Sequence, residues 1–416
     1  MGITDAEPLD VSRVREDFPI LQREFDGNQV VYLDSAATAQ TPDPVVDAIA
    51  DYYRETNANV HRGIHHLSQE ASIAYEEAHD RLAEFVGASG GREELIFTKN
   101  TTESENLVAY SWGLNELGPD DAVVLTEMEH HASLVTWQQI AKKTGAELRY
   151  IRVDGDGRLD MDHAKKVIDD DVAIASVAHV SNTLGTVVPV SDLADLVHEH
   201  DGLFFVDGAQ AVPTRPVDVE AIDADFYAFS GHKMLGPTGI GGLYGKKHLL
   251  EDMEPFNFGG GMIRSVSRED SEWNDLPWKF EAGTPVIAQG VGLAVAADYL
   301  EEIGMERIRQ HEERLATKAY DRLEAIDEIT VLGPEPGDDD RGGLVSFTVG
   351  GLHAHDLASI MNDRAVAVRA GDHCTQPLHD KLNVPASTRA SFYVYNSIEE
   401  IDPLVAGIED AIELFS

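Results

Sequence analysis

The sequence predicts an α/β protein built on a mostly parallel sheet, followed by a smaller α+β unit. Short apolar runs recur at Leu95–Thr98, AVVLTEMEHH, ELRYIRV, VAIASVAHVSN, LFFVDG and Phe226–Phe229, each bounded by turn residues. Segments with helical spacing separate these runs, and right-handed crossovers would put helices on both faces of one sheet. Beyond about residue 326 the pattern changes to strand signals at LVSFTV and ASFYVYN, with a final helix from Ile398.

Taken in order, residues 10–25 read as a short surface helix followed by an extended arm. VVYLDSAATAQTP is a strand ending in small residues, which allow close backbone approach to a ligand. Ala71, Tyr75, Ala78, Leu82 and Phe85 recur at helical spacing and predict an amphipathic helix that stops at Gly87. After the strand Leu95–Thr98, the turn Asn100-Thr101-Thr102 puts hydroxyls and free amides at a helix N-terminus, a seat for phosphate. The alternative is that Thr101 or Thr102 merely caps that helix.

LFFVDG carries Asp207 to a strand end, and Phe226–Phe229 runs into a tight loop between Gly231 and Gly236 that presents Lys233. Carboxylate and amine would then emerge on neighbouring strands, at the carboxyl edge where open α/β sheets bind ligands. The pair suits pyridoxal phosphate, which needs a lysine for its Schiff base and an acid against its ring nitrogen. Singly, a lysine after a strand is also a solvated loop cation, and Asp before Gly is also a turn former. Two Gly-rich loops follow, FGGGMIRSV and WKFEAGTP, and then a long helical stretch from about Gln289 to Ala325 that joins two domains. The acidic run GDDDRGG, 337–343, reads as an exposed hairpin or loop.

A chain of 416 residues with 43% hydrophobic content can bury a large core and form two domains. Its surface charge is extreme: 75 Asp and Glu against 32 Lys and Arg give a net charge of -43, spread along the whole chain. Such a field repels nucleic acid and anionic membranes. In molar salt, where the Debye length is roughly 3 Å, the self-repulsion is screened. The acidity therefore reads as adaptation to a salt-loaded cytoplasm rather than as a clue to the substrate. The single cysteine, Cys374, excludes an internal disulfide and agrees with a reducing compartment. MGITDAEPLD lacks the features of a signal peptide, and Ala282–Ala297 is too short and too broken to cross a bilayer. A cytoplasmic protein is expected, with no metal ligand set assigned.

Across nearly its whole length the chain resembles the SufS-type, or group II, cysteine desulfurases of the class V aminotransferase fold. The likeness is carried by YLDSAATAQ, VHRGIHHLS, TTE, EMEHHASLV, HVSNTLGT, VDGAQA, FSGHKMLGPTGIG, FEAGTP, RAGDHC and RASFYVYN, in that order. It implies the fold type I of pyridoxal phosphate-dependent transferases. A large cofactor-binding domain over 29–298 would carry a mostly parallel seven-stranded sheet. A small α+β domain over 299–416 would carry the Cys374 loop, and an arm over 1–28 would join the small domain.

The resemblance also implies roles. Lys233 would hold pyridoxal 5'-phosphate and move protons at the substrate α-carbon; Asp207 would pair with the pyridine nitrogen, and Gln210 would contact the ring hydroxyl. His130 would stack on the ring and transfer protons. Thr102, Ser230 and His232 would hold the phosphate, with Thr284 donated by the second subunit of a homodimer. Asn182 and Arg389, with Arg369 nearby, would meet the carboxylate of L-cysteine. Cys374, on a mobile loop, would attack the substrate sulfur, giving L-alanine and a persulfide for iron-sulfur cluster assembly.

Thiolate is the nucleophile, and Arg369 and His373 are the positive groups expected to favour it. The bland alternative for a lone cysteine is a small buried hydrophobe, which the polar, Gly-containing RAGDHC opposes. Two departures stand out: the family commonly reads RxGHHCA, whereas this chain has Asp372 and Thr375. Asp372 is expected to oppose ionisation of the thiol, and Gly261 marks a loop where relatives often carry carboxylates. A selenocysteine lyase, another class V enzyme or a non-catalytic sulfur-transfer scaffold are the competing readings. A small acceptor protein is the expected partner, with His355 in LHAHD as a candidate contact.

Overall fold

A computed structural model describes residues 8–61, 63–337 and 341–415. The first layer is the helix α1 (His66–Phe85), whose buried face is Ala71, Tyr75, Ala78 and Leu82, the stripe read from its spacing. It leads into strand β1 (Leu95–Thr98) and helix α2 (Thr101–Val108). Then follow β2 (Ala122–Thr126), α3 (His131–Thr144), β3 (Glu147–Ile151), β4 (Val172–Ala178), β5 (Leu203–Asp207), β6 (Phe226–Ser230) and β7 (Gly241–Gly245).

These strands form one seven-stranded sheet in the order β1-β7-β6-β5-β4-β2-β3. Strands β6, β5, β4, β2 and β3 are parallel, and β7 runs antiparallel to both β6 and β1. Side chains alternate between two cores: Phe204, Val206, Tyr227 and Phe229 enter one, while Phe205, Phe226 and Ala228 enter the other. Burial on both faces is why these strands read as continuous apolar runs rather than as polar-apolar alternation.

Strand β7 has no such signature, because its sequence is GGLYG. A Cβ on Gly241 would meet the Phe229 carbonyl at 2.4 Å, and one on Gly242 would meet the Phe229 ring at 2.3 Å. Close packing against β6 therefore selects glycine where propensity alone argues against a strand.

The remainder begins with α4 (Ile287–Ile303) and α5 (Met305–Glu324). The long helical stretch expected here consists of two helices, because Gly304 adopts φ +98 and ends the first. Strands β8 (Ile329–Leu332), β9 (Leu344–Val349), β10 (Arg369–Gly371) and β11 (Ser387–Ser391) make an antiparallel sheet in the order β8-β9-β11-β10. Helices α6 (Ala354–Asn362) and α7 (Ile401–Phe415) contribute Leu357, Met361, Leu404 and Ile408 to a third core, packed with Leu315 and Phe347.

Other expectations are corrected. ASFYVYN is a strand only as far as Ser391; Phe392–Asn396 turn back into the interior, where the Tyr393 hydroxyl donates to the Pro213 carbonyl at 2.8 Å. The N-terminal segment is less of a surface arm than its sequence suggests. After the helix Val11–Glu16 it buries Phe18 and Leu21, and Arg15 pairs with Glu400 at 2.8 Å. VVYLD forms only the two-residue strand Val31–Tyr32, parallel to Val366–Ala367. Within GDDDRGG, residues 338–340 lie outside the described residues. Arg341, though, is not exposed: its guanidinium is buried and donates to the carbonyls of Leu332, Pro334 and Leu344.

Candidate active site

Parallel strands β5 and β6 stop side by side at Asp207 and Ser230, and the loop after β6 places Lys233 over the same sheet edge. That loop is tight, with Leu235 buried at φ +64, a left-handed conformation that a branched side chain rarely adopts. Lys233 and Asp207 line a cavity of about 190 Å³. Burial pushes the Lys233 amine down to about 8, against an opposing pull from Asp207. Burial raises the Asp207 carboxyl, and attraction to Lys233 holds it back. The Ala209 N–H donates to Asp207 Oδ1 at 2.9 Å.

The phosphate-type corner is built from two strand ends and one helix start. Asn100, rather than either threonine, caps α2, its side chain accepting from the Glu103 N–H at 3.0 Å. Thr101 bonds Ser230 Oγ through both its N–H, at 3.0 Å, and its hydroxyl, at 2.8 Å. Thr102, Ser230 and His232 all line the cavity. His232 leans on Thr38 Oγ1 at 3.2 Å, and burial pushes its imidazole down to about 4. The Gln210 amide donates to the Ala36 carbonyl at 2.8 Å.

His130 caps α3. Its Nδ1 accepts the Ala132 N–H at 3.0 Å, which assigns the ring proton to Nε2. Burial, then repulsion from Lys233, takes this imidazole down to about 3, so it is neutral at ordinary pH.

Cys374 is half-buried and lines the same cavity. His373 and Cys374 have φ of 49 and 59, consecutive left-handed residues that cost about 1–3 kcal/mol each. The surroundings hold them there. Cys374 O accepts the His131 N–H at 2.8 Å, His373 O accepts from Asn182 Nδ2 at 2.7 Å, and the hydroxyls of Thr375 and Thr183 meet at 2.8 Å. In this conformation the cysteine loop is pinned rather than loose.

Asp372 uses Oδ1 to accept the Cys374 N–H at 3.0 Å, so its carboxylate shapes the turn that presents the thiol. His373 cannot supply the expected positive charge. Burial, then repulsion from Arg389, pushes its imidazole down to about 2, and its Nε2 bonds Ser387 Oγ at 3.0 Å. Arg369 is the cation that shares the cavity with the thiol.

Arg389, on β11, is buried. Its Nη1 donates to the Asn182 carbonyl at 2.8 Å and its Nη2 to Asp34 Oδ1 at 3.2 Å, while its Nε has no partner among the described residues. Asn182 also lines the cavity. Thr284 and His355 are both exposed and lie outside the lining of this cavity.

Sequence reading missed the buried acids behind this site. Glu105 accepts from Trp137 Nε1 at 3.1 Å and Ser176 Oγ at 3.2 Å. Glu129 accepts from Thr126 Oγ1 at 2.5 Å and the Ala178 N–H at 3.2 Å. Burial holds Glu105 well above the usual carboxylate range and takes Glu129 up to about 8. Glu105 carried one visible signal, an acid two residues before the apolar run Leu107–Ala109.

The aminotransferase class-V family profile matches residues 31–404. A cysteine desulfurase of Haloferax volcanii is 68% identical, with all of both chains covered. The chain belongs to the class-V aminotransferase family, among its cysteine desulfurases. A probable cysteine desulfurase of Halobacterium salinarum is 66% identical over the full length of both chains. Among solved structures, an apo cysteine desulfurase from Thermococcus onnurineus superposes with a TM-score of 0.92 at 40% identity, covering 99% of this chain and 100% of that one. One from Escherichia coli, with an S-sulfonic acid, gives 0.89 at 35% identity, covering 98% and 99%. The class-V desulfurase fold of this chain is thus the fold type I architecture of pyridoxal phosphate-dependent transferases.

Proposed function

We propose that this chain is a SufS-type cysteine desulfurase, working as a cytoplasmic homodimer that takes sulfur from L-cysteine for iron-sulfur cluster assembly. The observation that carries this reading is the presence of a half-buried thiol, Cys374, in the same cavity as the buried pair Lys233 and Asp207. The residues fit pyridoxal 5'-phosphate. A lysine with no hydrogen bond or ion pair among the described residues stands beside a buried carboxylate, and a helix N-terminus with Thr102, Ser230 and His232 is there for the phosphate. When bound, the cofactor supplies an electron sink for the substrate α-carbon. In this reading residues 29–298 form the cofactor domain, 299–416 the small domain, and 1–28 the arm.

The chain's own groups divide the work. Asp207 would hold a positive charge at the ring nitrogen, and Gln210 would meet the ring hydroxyl. Lys233, with an amine near neutrality, takes and returns the proton at the α-carbon. Neutral His130 offers a flat face and an Nε2–H. Arg389 and Asn182 anchor the substrate carboxylate, the Nε–H of Arg389 being a buried donor without a partner among the described residues. Arg369 shares the cavity with the Cys374 thiol.

The thiolate Sγ bonds to the substrate sulfur, the carbon–sulfur bond breaks with its electron pair going to carbon, and that carbon takes a proton. L-Cysteine and a thiol thus become L-alanine and a persulfide. Thr284 of one protomer serves its partner's phosphate, and exposed His355 is a contact for a small sulfur acceptor. Loss of acceptor-stimulated turnover alone in His355→Ala would support that contact. The acidic surface fits a salt-loaded cell.

Incubation with L-cysteine, following alanine and sulfide with and without reductant, tests the reading. The native chain forms alanine and releases sulfide when reduced; Cys374→Ser does neither. A native chain loaded with cofactor that forms no alanine overturns it.

A further inference from the structure

Arg369 and Arg389 stand directly opposite each other across β10 and β11. Both line the cavity. Like charges directly opposite in a sheet are destabilising, so the pair requires an anion. The chain supplies one from outside the cavity lining. Asp34 Oδ1 is 3.2 Å from Arg389 Nη2, and its Oδ2 is 3.8 Å from Arg369 Nη1. The residue before it is held from both sides, with Leu33 N–H donating to Ala367 O at 2.9 Å and Ser391 N–H donating to Leu33 O at 2.8 Å, and the Asp34 carbonyl accepts the Ala37 N–H at 3.1 Å.

Two guanidiniums and one carboxylate leave this end of the cavity one negative charge short. The open donor is Arg389 Nε, which is buried and without a partner among the described residues. Burial raises the Asp34 carboxyl and takes the Arg389 guanidinium down to about 10, so each charge is stabilised less than its desolvation demands. One further anion relieves this, and a second finds no uncompensated charge.

We propose that Asp34 sets the anion selectivity of this end of the site. It neutralises one of two guanidiniums, so that a substrate carboxylate enters while chloride in a salt-rich solution does not. The proposal rests on reading Arg389 as the carboxylate anchor. Guanidinium is weakly hydrated and accepts weakly hydrated anions readily, so an unbalanced arginine pair would fill with chloride at molar concentration. With one charge already matched, the remaining attraction admits only a ligand that adds directed hydrogen bonds, as a planar carboxylate does and a spherical ion does not. Asp34 acts through the arginines and is a positioning residue.

The test uses cofactor-loaded native chain, Asp34→Asn and Asp34→Glu. Alanine formation is measured against L-cysteine concentration while chloride is replaced stepwise by strongly hydrated fluoride at constant potassium, which keeps bulk screening fixed. Native KM should change less than about twofold between the two salts. In Asp34→Asn, KM should rise about tenfold from fluoride to chloride, the effect of about one unit of charge–charge interaction, with kcat within about twofold. Asp34→Glu should restore the native response. A merely structural role would shift KM equally in both salts, and that result overturns the proposal.

Chloride-35 line broadening gives a second readout that needs neither turnover nor the variants. The native chain should show no broadening that L-cysteine displaces, and displaceable broadening on the native chain also overturns the proposal. If the native chain forms no alanine, the desulfurase reading fails and this proposal with it. If it turns over but the variants show no difference between the salts, only this proposal fails.

Discussion

The carbonyl oxygen of Cys374 accepts the backbone N–H of His131 at 2.8 Å, tying the thiol loop to the first turn of the helix that His130 caps. The loop and the imidazole are therefore linked through the start of one helix, and the left-handed backbone at His373 and Cys374 persists because its neighbours over-determine it. Thr375 is a principal anchor. Its hydroxyl meets Thr183 Oγ1 at 2.8 Å and donates to the Asp372 carbonyl at 2.9 Å. Thr375→Ala leaves the buried Thr183 hydroxyl without that partner. The expected cost is about 1–3 kcal/mol, read as a lower thermal midpoint with cofactor loading intact.

Lys233 loads cofactor as a neutral amine, and its pKa lies at about 8. The rate of covalent loading should therefore rise with pH and level off above about 8. Asp207 pulls that value upward, so Asp207→Asn should move the loading profile to lower pH while weakening retention of the cofactor. Stopped-flow absorbance of the apo chain mixed with pyridoxal phosphate reads both effects.

Glu129 makes stability depend on pH. The unfolded carboxyl titrates near 4.5, and burial takes the folded one up to about 8. Between these values the folded chain keeps a proton that the unfolded chain has released, so rising pH favours unfolding by up to about 1.4 kcal/mol per pH unit. His130 acts in the opposite sense. Its folded value of about 3 against 6.5 unfolded means that stability is lost as pH falls below about 6.5. Glu129→Gln, of the same shape, should remove the Glu129 contribution between pH 4.5 and about 8, so that stability falls less above pH 6.5, drops more steeply on acidification from pH 6.5 to 4.5, and keeps its slope below pH 4.5. Chemical denaturation at several pH values measures this.

Much of the site was legible because chemistry at a sheet edge needs residues at strand ends, and strand ends are punctuated. Asp207 and Lys233 each follow a run of buried apolar residues, and the runs proved to be neighbours in one parallel sheet. What escaped was decided by packing rather than by local pattern. GGLYG is a strand because β6 leaves no room for side chains. His373 looked like a cation beside the thiol, yet burial leaves it neutral. Asp34 lies in a stretch read for its small residues, and its role follows from long-range contacts with Arg369 and Arg389. Glu129 sits beside His130 in EMEHH, and nothing in that string reveals that its carboxyl is buried.

Removing the nucleophile should separate loading from turnover. Cys374→Ser should take up pyridoxal phosphate as the native chain does and lose at least about 100-fold in alanine formation from L-cysteine, followed by amino-acid analysis.

The most direct measurement is mass analysis of two peptides from native chain incubated with L-cysteine and, separately, with cofactor and borohydride. The account predicts one extra sulfur atom on the peptide containing Cys374, removed by reductant, and a reduced pyridoxyl group on the peptide containing Lys233. An unmodified Cys374 after alanine has formed, or borohydride labelling at another lysine, would contradict it.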